Sequence, residues 1–211
     1  MEFLFTSADK SQVTVEVNGA LSKCSDDCSY EVIAAGTPVL NTATLAGNVL
    51  TLNVTTTSAV SAITVSIDGT KCNNNVGSNT ESFTCTLESN SNGLPKIRAG
   101  SYVPTVDISG VGLAQPAPSF TNVSITLTAS SVAGAASGLS GGVPITINGN
   151  GFPFSTAETP FSVTVCNKAA VVKTVSNSQI GIILPPCATT AATISIAFKG
   201  QTATLSYTYD D

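Results

Sequence analysis

An all-β fold, built as β-sandwiches in tandem, is predicted by three features of this 211-residue chain. Apolar and polar residues alternate through short runs, as at Val13, Val15 and Val17 or Ile63, Val65 and Ile67, which puts every second side chain on one buried face of a strand. Gly, Asn, Pro or Ser closes each run at intervals of about 8 to 15 residues, the strand spacing of a sandwich. No stretch carries a helical period, and the pattern itself recurs about every 90 residues, the length of one sandwich domain.

The first segment, residues 1–36, begins in mid-domain. In QVTVEVNGALSKC the three valines share a face, and Asn18-Gly19 supplies a two-residue hairpin turn because both residues tolerate positive φ. Cys24, the SDD loop, Cys28 and SYEVI follow. Two or three strands cannot bury a core alone, so this segment is expected to lie on a neighbouring domain.

The second segment, residues 37–120, opens at Thr37-Pro38, where proline ends the preceding strand. Val49, Leu50, Leu52 and Val54 make one strand, and Ile63, Val65 and Ile67 make the next, closed by Asp68-Gly69. An Asn-rich loop leads to FTCTL, and NGLPKIRAG reads as a further loop before SYVPTVDISGVGLAQP and SFTNVSITL.

The third segment, residues 121–211, first crosses ASSVAGAASGLSGG, which occupies the slot of a first strand and turn and is expected to be an ordered loop. From Val143 to Tyr209 the strands are clear: VPITINGNGF, FSVTVCNKAAVV, SNSQIGIILPPC and ATISIAFKGQTATLSYTY. Turn glycines Gly19, Gly112 and Gly200, and aromatics Tyr30, Phe120 and Tyr207, recur at corresponding places. The chain thus reads as the end of one repeat followed by two complete ones.

Composition excludes several function classes. Net charge is −5 and the eight basic residues are scattered, whereas a nucleic-acid surface needs clustered Lys and Arg. Lys96 and Arg98 are the one close basic pair and read as part of a solvated loop. No apolar run approaches the ~18 residues of a membrane span. Without histidine there is no Ser-His-Asp or Cys-His arrangement and no His-based metal site. Asp26-Asp27 and Asp210-Asp211 are adjacent carboxylates in a tight loop and at the terminus, where solvation is their expected role rather than glycosidase chemistry. Asp26, Asp27 and Glu31 lack an EF-hand pattern, and GLSGGVP and NGNGF lack the lysine and helix of a phosphate loop. The chain is therefore expected to be no enzyme and to have no catalytic residue, cofactor or metal.

The six cysteines fall as Cys24 and Cys28, Cys72 and Cys85, and Cys166 and Cys187, one pair per segment. Their even count, with no histidine for a mixed zinc site, favours disulfides and an oxidising compartment; an all-Cys zinc site would need four of them to converge. Closing the loop from Cys72 to Cys85 is worth about 3 kcal/mol in the chain-entropy model. Two sequons, at Asn53 and Asn122, agree with secretion as N-glycosylation candidates. The start, MEFLFTSADK, has no signal-peptide pattern, so the chain is expected to be a mature piece or an excised fragment of a secreted parent.

The third segment resembles an IPT/TIG domain, the immunoglobulin-like fold of plexins, of hepatocyte-growth-factor-type receptors and of Rel-type transcription factors. The resemblance rests on GVPITINGNGF (142–152), FSVTVCN (161–167), SNSQIGIILPP (176–186) and AFKGQTATLSYTY. It extends over the second segment, which is similar to the fibrocystin-like subgroup of cell-surface proteins: Cys72 follows the Asp68-Gly69 turn, Cys85 lies within FTCTL, and AGSYVPTVDISGVGLA comes after it. Cys24, Cys28 and Thr37-Pro38 fit the same pattern, while Cys166 lies earlier, at a strand end, and Cys187 later, after Pro185-Pro186. The resemblance implies tandem immunoglobulin-like IPT/TIG sandwiches, with a partial repeat at the N-terminus, at the cell surface or outside the cell.

The expected function is a structural or adhesive segment of a large extracellular multi-repeat glycoprotein, with neighbouring repeats or copies of itself as partners and end-to-end assembly into a filament or coat. A receptor ectodomain module that binds other cell-surface proteins is the second expectation, through the loops Asn73–Glu81 and Phe154–Pro160 and the aromatics Phe152 and Phe154. A polysaccharide-binding domain lacks its aromatic platform, with no Trp and four Tyr.

Overall fold

A computed structural model describes residues 10–12, 16–17, 20–21, 29–31, 36–57, 62–77 and 82–210. In the first segment, strands β1 (Lys10–Gln12), β2 (Glu16–Val17), β3 (Ala20–Leu21) and β4 (Ser29–Glu31) form two antiparallel pairs, β1 with β4 and β2 with β3. The pairing Val17↔Ala20 brackets Asn18-Gly19, which themselves lie outside the described residues, as do Cys24, Cys28, Asp26 and Asp27.

The second sandwich comprises β5 (Val39–Ala46), β6 (Val49–Thr55), β7 (Ile63–Ile67), β8 (Thr70–Gly77), β9 (Ser82–Leu87), β10 (Gly100–Tyr102), β11 (Thr105–Ile108), β12 (Gly112–Leu113), β13 (Gln115–Pro116) and β14 (Val123–Ile125). Eight of these strands hydrogen-bond in the order β12-β11-β7-β8-β9-β6-β5-β13, and β10 pairs with β14. The period-2 pattern acts as predicted: Leu50, Leu52 and Val54 on β6, Val65 and Ile67 on β7, Phe83 and Leu87 on β9, and Val106 and Ile108 on β11 turn inward to one core. Asp68 and Gly69, at φ 51° and 76°, make the two-residue turn between Ile67 and Thr70.

The third sandwich consists of β15 (Thr128–Gly134), β16 (Pro144–Asn150), β17 (Phe161–Val165), β18 (Lys168–Ala169), β19 (Val171–Ser176), β20 (Gln179–Ile183), β21 (Ala191–Phe198) and β22 (Gln201–Thr208). They form two four-stranded antiparallel sheets, β15-β16-β20-β19 and β18-β17-β21-β22. Ile145, Ile147, Ile180 and Ile182 of one sheet share a core with Val163, Val165, Ile194, Ile196 and Phe198 of the other, as in aligned sandwiches. Phe152 and Tyr209 are fully buried in the same core.

Two readings of the sequence change here. The stretch taken as an ordered loop contains strand β15, paired with β16 from Thr128↔Asn150 to Gly134↔Ile145 across a bulge. Its small residues write almost no apolar alternation, and the pairing with β16 holds it in place; a Cβ on Gly134 would come within 3.1 Å of the Ile145 Cα. Cys166 is not in a strand end: Cys166 and Asn167, at φ 51° and 61°, form the two-residue turn between Val165 and Lys168.

Where the sandwiches meet, Val123 and Ile125 belong to the second core and Leu127 to the third, leaving Thr126 alone between them. The sequence pattern puts the change of domain at 120/121, yet the intervening residues lead into β14, which pairs with β10.

Candidate functional site

A connected set of polar contacts joins the two sandwiches at this junction. It is organised by the connection from β9 to β10, residues 88–99. Asn90 starts a local turn by accepting the backbone N–H of Asn92 and of Leu94 through Oδ1, the Asx geometry that asparagine favours. Gly93 follows at φ 73°. The Lys96 N–H donates to the Glu88 carbonyl at 2.8 Å, and the buried Thr70 hydroxyl donates to the Lys96 carbonyl at 2.6 Å, which anchors the connection to β8.

Held in this way, the connection meets the loop end of the third sandwich. Asn90 Nδ2 donates to Asn150 Oδ1 at 2.7 Å and Asn177 Oδ1 at 3.0 Å, Ser91 and Ser178 share a hydroxyl contact at 2.7 Å, and Asn92 Nδ2 donates to the Gly149 carbonyl. Asn177 is 4% exposed and sends Nδ2 to the carbonyls of Ile97 at 2.7 Å and Phe152 at 3.2 Å. A buried amide is tolerated because its donors and acceptor are satisfied from both sandwiches. The Ala99 N–H donates to the Gly151 carbonyl, and the Ala99 methyl packs in the third core. Gln201 clamps the link itself, accepting from the Leu127 N–H at 2.7 Å and donating to the Ile125 carbonyl at 3.0 Å.

Arg98 stands at the edge of this contact. Its guanidinium donates to Asp68 through Nε at 2.9 Å and Nη2 at 2.5 Å, its backbone N–H donates to Asp68 Oδ2, and Nη1 reaches Glu158 of the third sandwich at 2.8 Å. The same group lies 5.1 Å from the centre of the Phe154 ring. Burial alone would raise the Asp68 and Glu158 carboxyls, but hydrogen bonds and charge from Arg98 outweigh it and hold both below the ordinary carboxylate range. Nearby, Lys199 Nζ donates to the Tyr102 hydroxyl at 3.1 Å, and that hydroxyl faces the carbonyls of Arg98 and Ala99. Burial, with the Asp68 charge, pushes the Tyr102 phenol well up.

Thus the basic pair read from the sequence as a solvated loop divides. Lys96 is exposed beside Glu88, whereas Arg98 joins two domains. Its role was invisible because Asp68 and Glu158 lie 30 and 60 residues away along the chain. A cleft of about 640 Å³ opens beside it, lined by Lys71, Asn73, Glu88, Lys96 and Phe154.

The other singled-out residues are spread out. Cys72 and Cys85 are bonded at 2.03 Å and tie β8 to β9, and Cys166 is bonded to Cys187, their Cα atoms 6.0 Å apart. Asn53 is half-buried in β6 with Oδ1 accepting from Asn41, while Asn122 is exposed just before β14. Asp210 is exposed, and its N–H donates to the Ser137 carbonyl; Asp211 is outside the described residues. Of the two loops expected to bind a ligand, the first lies mostly in β8 through Gly77, with residues 78–81 undescribed. No three of His, Cys, Asp and Glu converge among the described residues.

No curated protein matches the sequence. Among solved structures, the chain is similar to the plexin A4 extracellular region (14% identity, TM-score 0.38, covering 90% of this chain and 20% of that one). It is also similar to the surface glycan-binding protein PbSGBP-B from Prevotella bryantii (12%, TM-score 0.44, 85% and 44%) and to the Yersinia pseudotuberculosis adhesin InvE (14%, TM-score 0.35, 82% and 59%). The chain therefore spans less than two thirds of each of these proteins. The third sandwich is the part with a recognised family: residues 127–210 match the family model of the IPT/TIG domain.

Proposed function

We propose that this chain is a structural or adhesive segment of an extracellular multi-repeat protein, in which consecutive immunoglobulin-like sandwiches are held at one orientation so that the array acts as a stiff spacer. The observation that carries this reading is the junction, where a single residue, Thr126, separates the two cores and two of the three hydrogen bonds of the buried Asn177 amide come from the neighbouring sandwich. Two disulfides support an oxidising, extracellular setting, and the partners are neighbouring repeats or other copies of the chain. End-to-end assembly into a filament or coat, and the kinship of the second sandwich with fibrocystin-like proteins, belong to the same proposal.

Electron microscopy and sedimentation of the purified chain test it. Stiff particles that join end to end support the reading; strictly monomeric chains at high concentration remove the assembly, and six free thiols under denaturing conditions remove the extracellular setting. N-glycosylation is proposed first at Asn122, which is exposed, ahead of Asn53, whose amide is engaged by Asn41 across the ladder. A mass shift on peptide N-glycosidase treatment that is lost in Asn122→Gln is the expected sign.

The cleft beside the junction favours a second reading, a ligand-binding ectodomain module. Phe154, 37% exposed at its rim, is the anchor such a site would use. Under that reading Phe154→Ala abolishes binding of a cell-surface partner without altering self-association.

A further inference from the structure

We propose that the junction is a clasp that opens before either sandwich unfolds, with the Arg98 guanidinium, held between Asp68 and Glu158, as its latch. The proposal deepens the spacer reading and rests on it only for its biological use. Two kinds of interaction divide the molecule. Inside each sandwich, apolar cores, strand ladders and a disulfide hold the fold together. Across the junction the contacts are mainly amides, hydroxyls and charges, with the Ala99 methyl as the apolar piece set into the other core. Polar groups exchange their partners for water when a contact opens, whereas apolar cores do not.

Arg98 concentrates this sensitivity. Asp68 faces it from the β7–β8 turn, with its side chain 4% exposed, and Glu158 from the connection between β16 and β17. Lys199, from the β21–β22 turn, adds a cation near both carboxylates, and the Tyr102 phenol lies between Lys199 and the Arg98 carbonyl. Lys96 and Glu88 pair with each other at the rim, where Lys71 is also exposed. Protonating Asp68 and Glu158 would leave a confined guanidinium with no counter-charge, and opening the junction would return it to water. Both carboxyls titrate below their ordinary values of about 4, so their contribution is complete above that pH and is lost as pH falls through the lowered values. The buried carboxylate side chain of Asp68 sits at the clasp itself, and the other buried polar residues described in the two sandwiches are Thr70, Ser137, Asn177 and Ser178, none of which titrates in acid. Acid therefore acts on the clasp ahead of the cores.

Small-angle X-ray scattering of the whole chain in steps from pH 7 down to about pH 2, paired with far- and near-ultraviolet circular dichroism, tests the clasp. At pH 7 one narrow distribution of intramolecular distances is expected. As pH falls through the lowered carboxyl values that distribution broadens while both dichroism spectra persist. Arg98→Ala reproduces the broadening at pH 7, and Lys96→Ala does not. If Arg98→Ala impairs folding, Glu158→Gln, which leaves the Asp68 pair intact, is read instead and broadens the distribution at pH 7. A distribution unchanged by acid and by the readable variant overturns the clasp, as does loss of dichroism in step with the broadening. A junction rigid at every pH leaves the spacer reading standing, while monomeric chains with an acid-opened junction remove end-to-end assembly and keep the clasp.

Discussion

Asp68 and Cys166 hold the same position in their two sandwiches: each is the first residue of a two-residue turn, each sits at φ 51°, and each is tied to the connection that follows the strand beside β6 or β16. In the third sandwich the tie is covalent, to Cys187. In the second it is ionic, to Arg98, while the cysteine pair has moved to β8 and β9. The difference has a consequence for assembly. A disulfide uses both its ends, whereas Arg98 keeps a second set of donors, and these reach Glu158 in the next sandwich.

Asn177→Ala is expected to destabilise the docked state by about 2 to 3 kcal/mol, because it removes two donors to the Ile97 and Phe152 carbonyls and an acceptor for Asn90 in a site closed to water. The spread of intramolecular distances from small-angle scattering during a urea titration at pH 7, which reads undocking apart from unfolding, measures the loss. A change under ~0.5 kcal/mol would mean that water replaces the amide freely and that the site is not dry.

Gly151→Ala acts on the same junction through the backbone. Gly151 sits at φ 77°, and an added Cβ would lie 3.1 Å from the Thr126 carbonyl and 3.2 Å from Ala99. A cost of about 1 to 3 kcal/mol is expected from the positive φ and the crowding together. Gly200→Ala, also at φ 76° but with open space around the new methyl, separates the backbone part from the contact part, and the smaller loss is expected there.

Removing the Cys72–Cys85 bridge with serines at both positions should cost about 2 to 4 kcal/mol, as for other loops of this size. Chemical denaturation under non-reducing conditions reads it. Peptide mapping before and after reduction should recover Cys72 with Cys85 and Cys166 with Cys187, and a crossed pairing would contradict the strand register of β8 with β9.

Alkaline pH should weaken the junction from the tyrosine side. Burial and the Asp68 charge raise the Tyr102 phenol above its ordinary value of about 10. Its contribution is thus complete below that pH and fades as pH rises through the raised value. Ultraviolet titration should show Tyr102, Tyr207 and Tyr209, all raised by burial, ionising late, and Tyr102→Phe should remove one of those late steps. If every tyrosine ionises together near pH 10 with the fold intact, Tyr102 is not enclosed as described.

Much of the fold was legible because strand alternation and turn chemistry are local. Ile63, Val65 and Ile67 with Asp68-Gly69 specify a hairpin within seven residues of sequence, and the hairpin is there. Strand β15 was not legible because Ala, Ser and Gly on it carry little apolar signal, and the ladder of β16 decides its state. The Cys166 turn was obscured by its continuity with the alternation of FSVTV, since a cysteine extends an apolar run in sequence while Asn167 beside it favours positive φ.

The chemistry of the junction belongs to the tertiary structure. Asn90, Asn150 and Asn177 are, in sequence, ordinary turn residues, and Arg98 an isolated cation in a loop. They become a joint because docking brings together groups 60 to 87 residues apart and closes them from water, where hydrogen bonds and charges no longer compete with solvent. Period, turns and cysteine count therefore determined that this chain is a series of stapled β-sandwiches. How one sandwich is held against the next was decided by the burial of side chains whose partners no local pattern could identify.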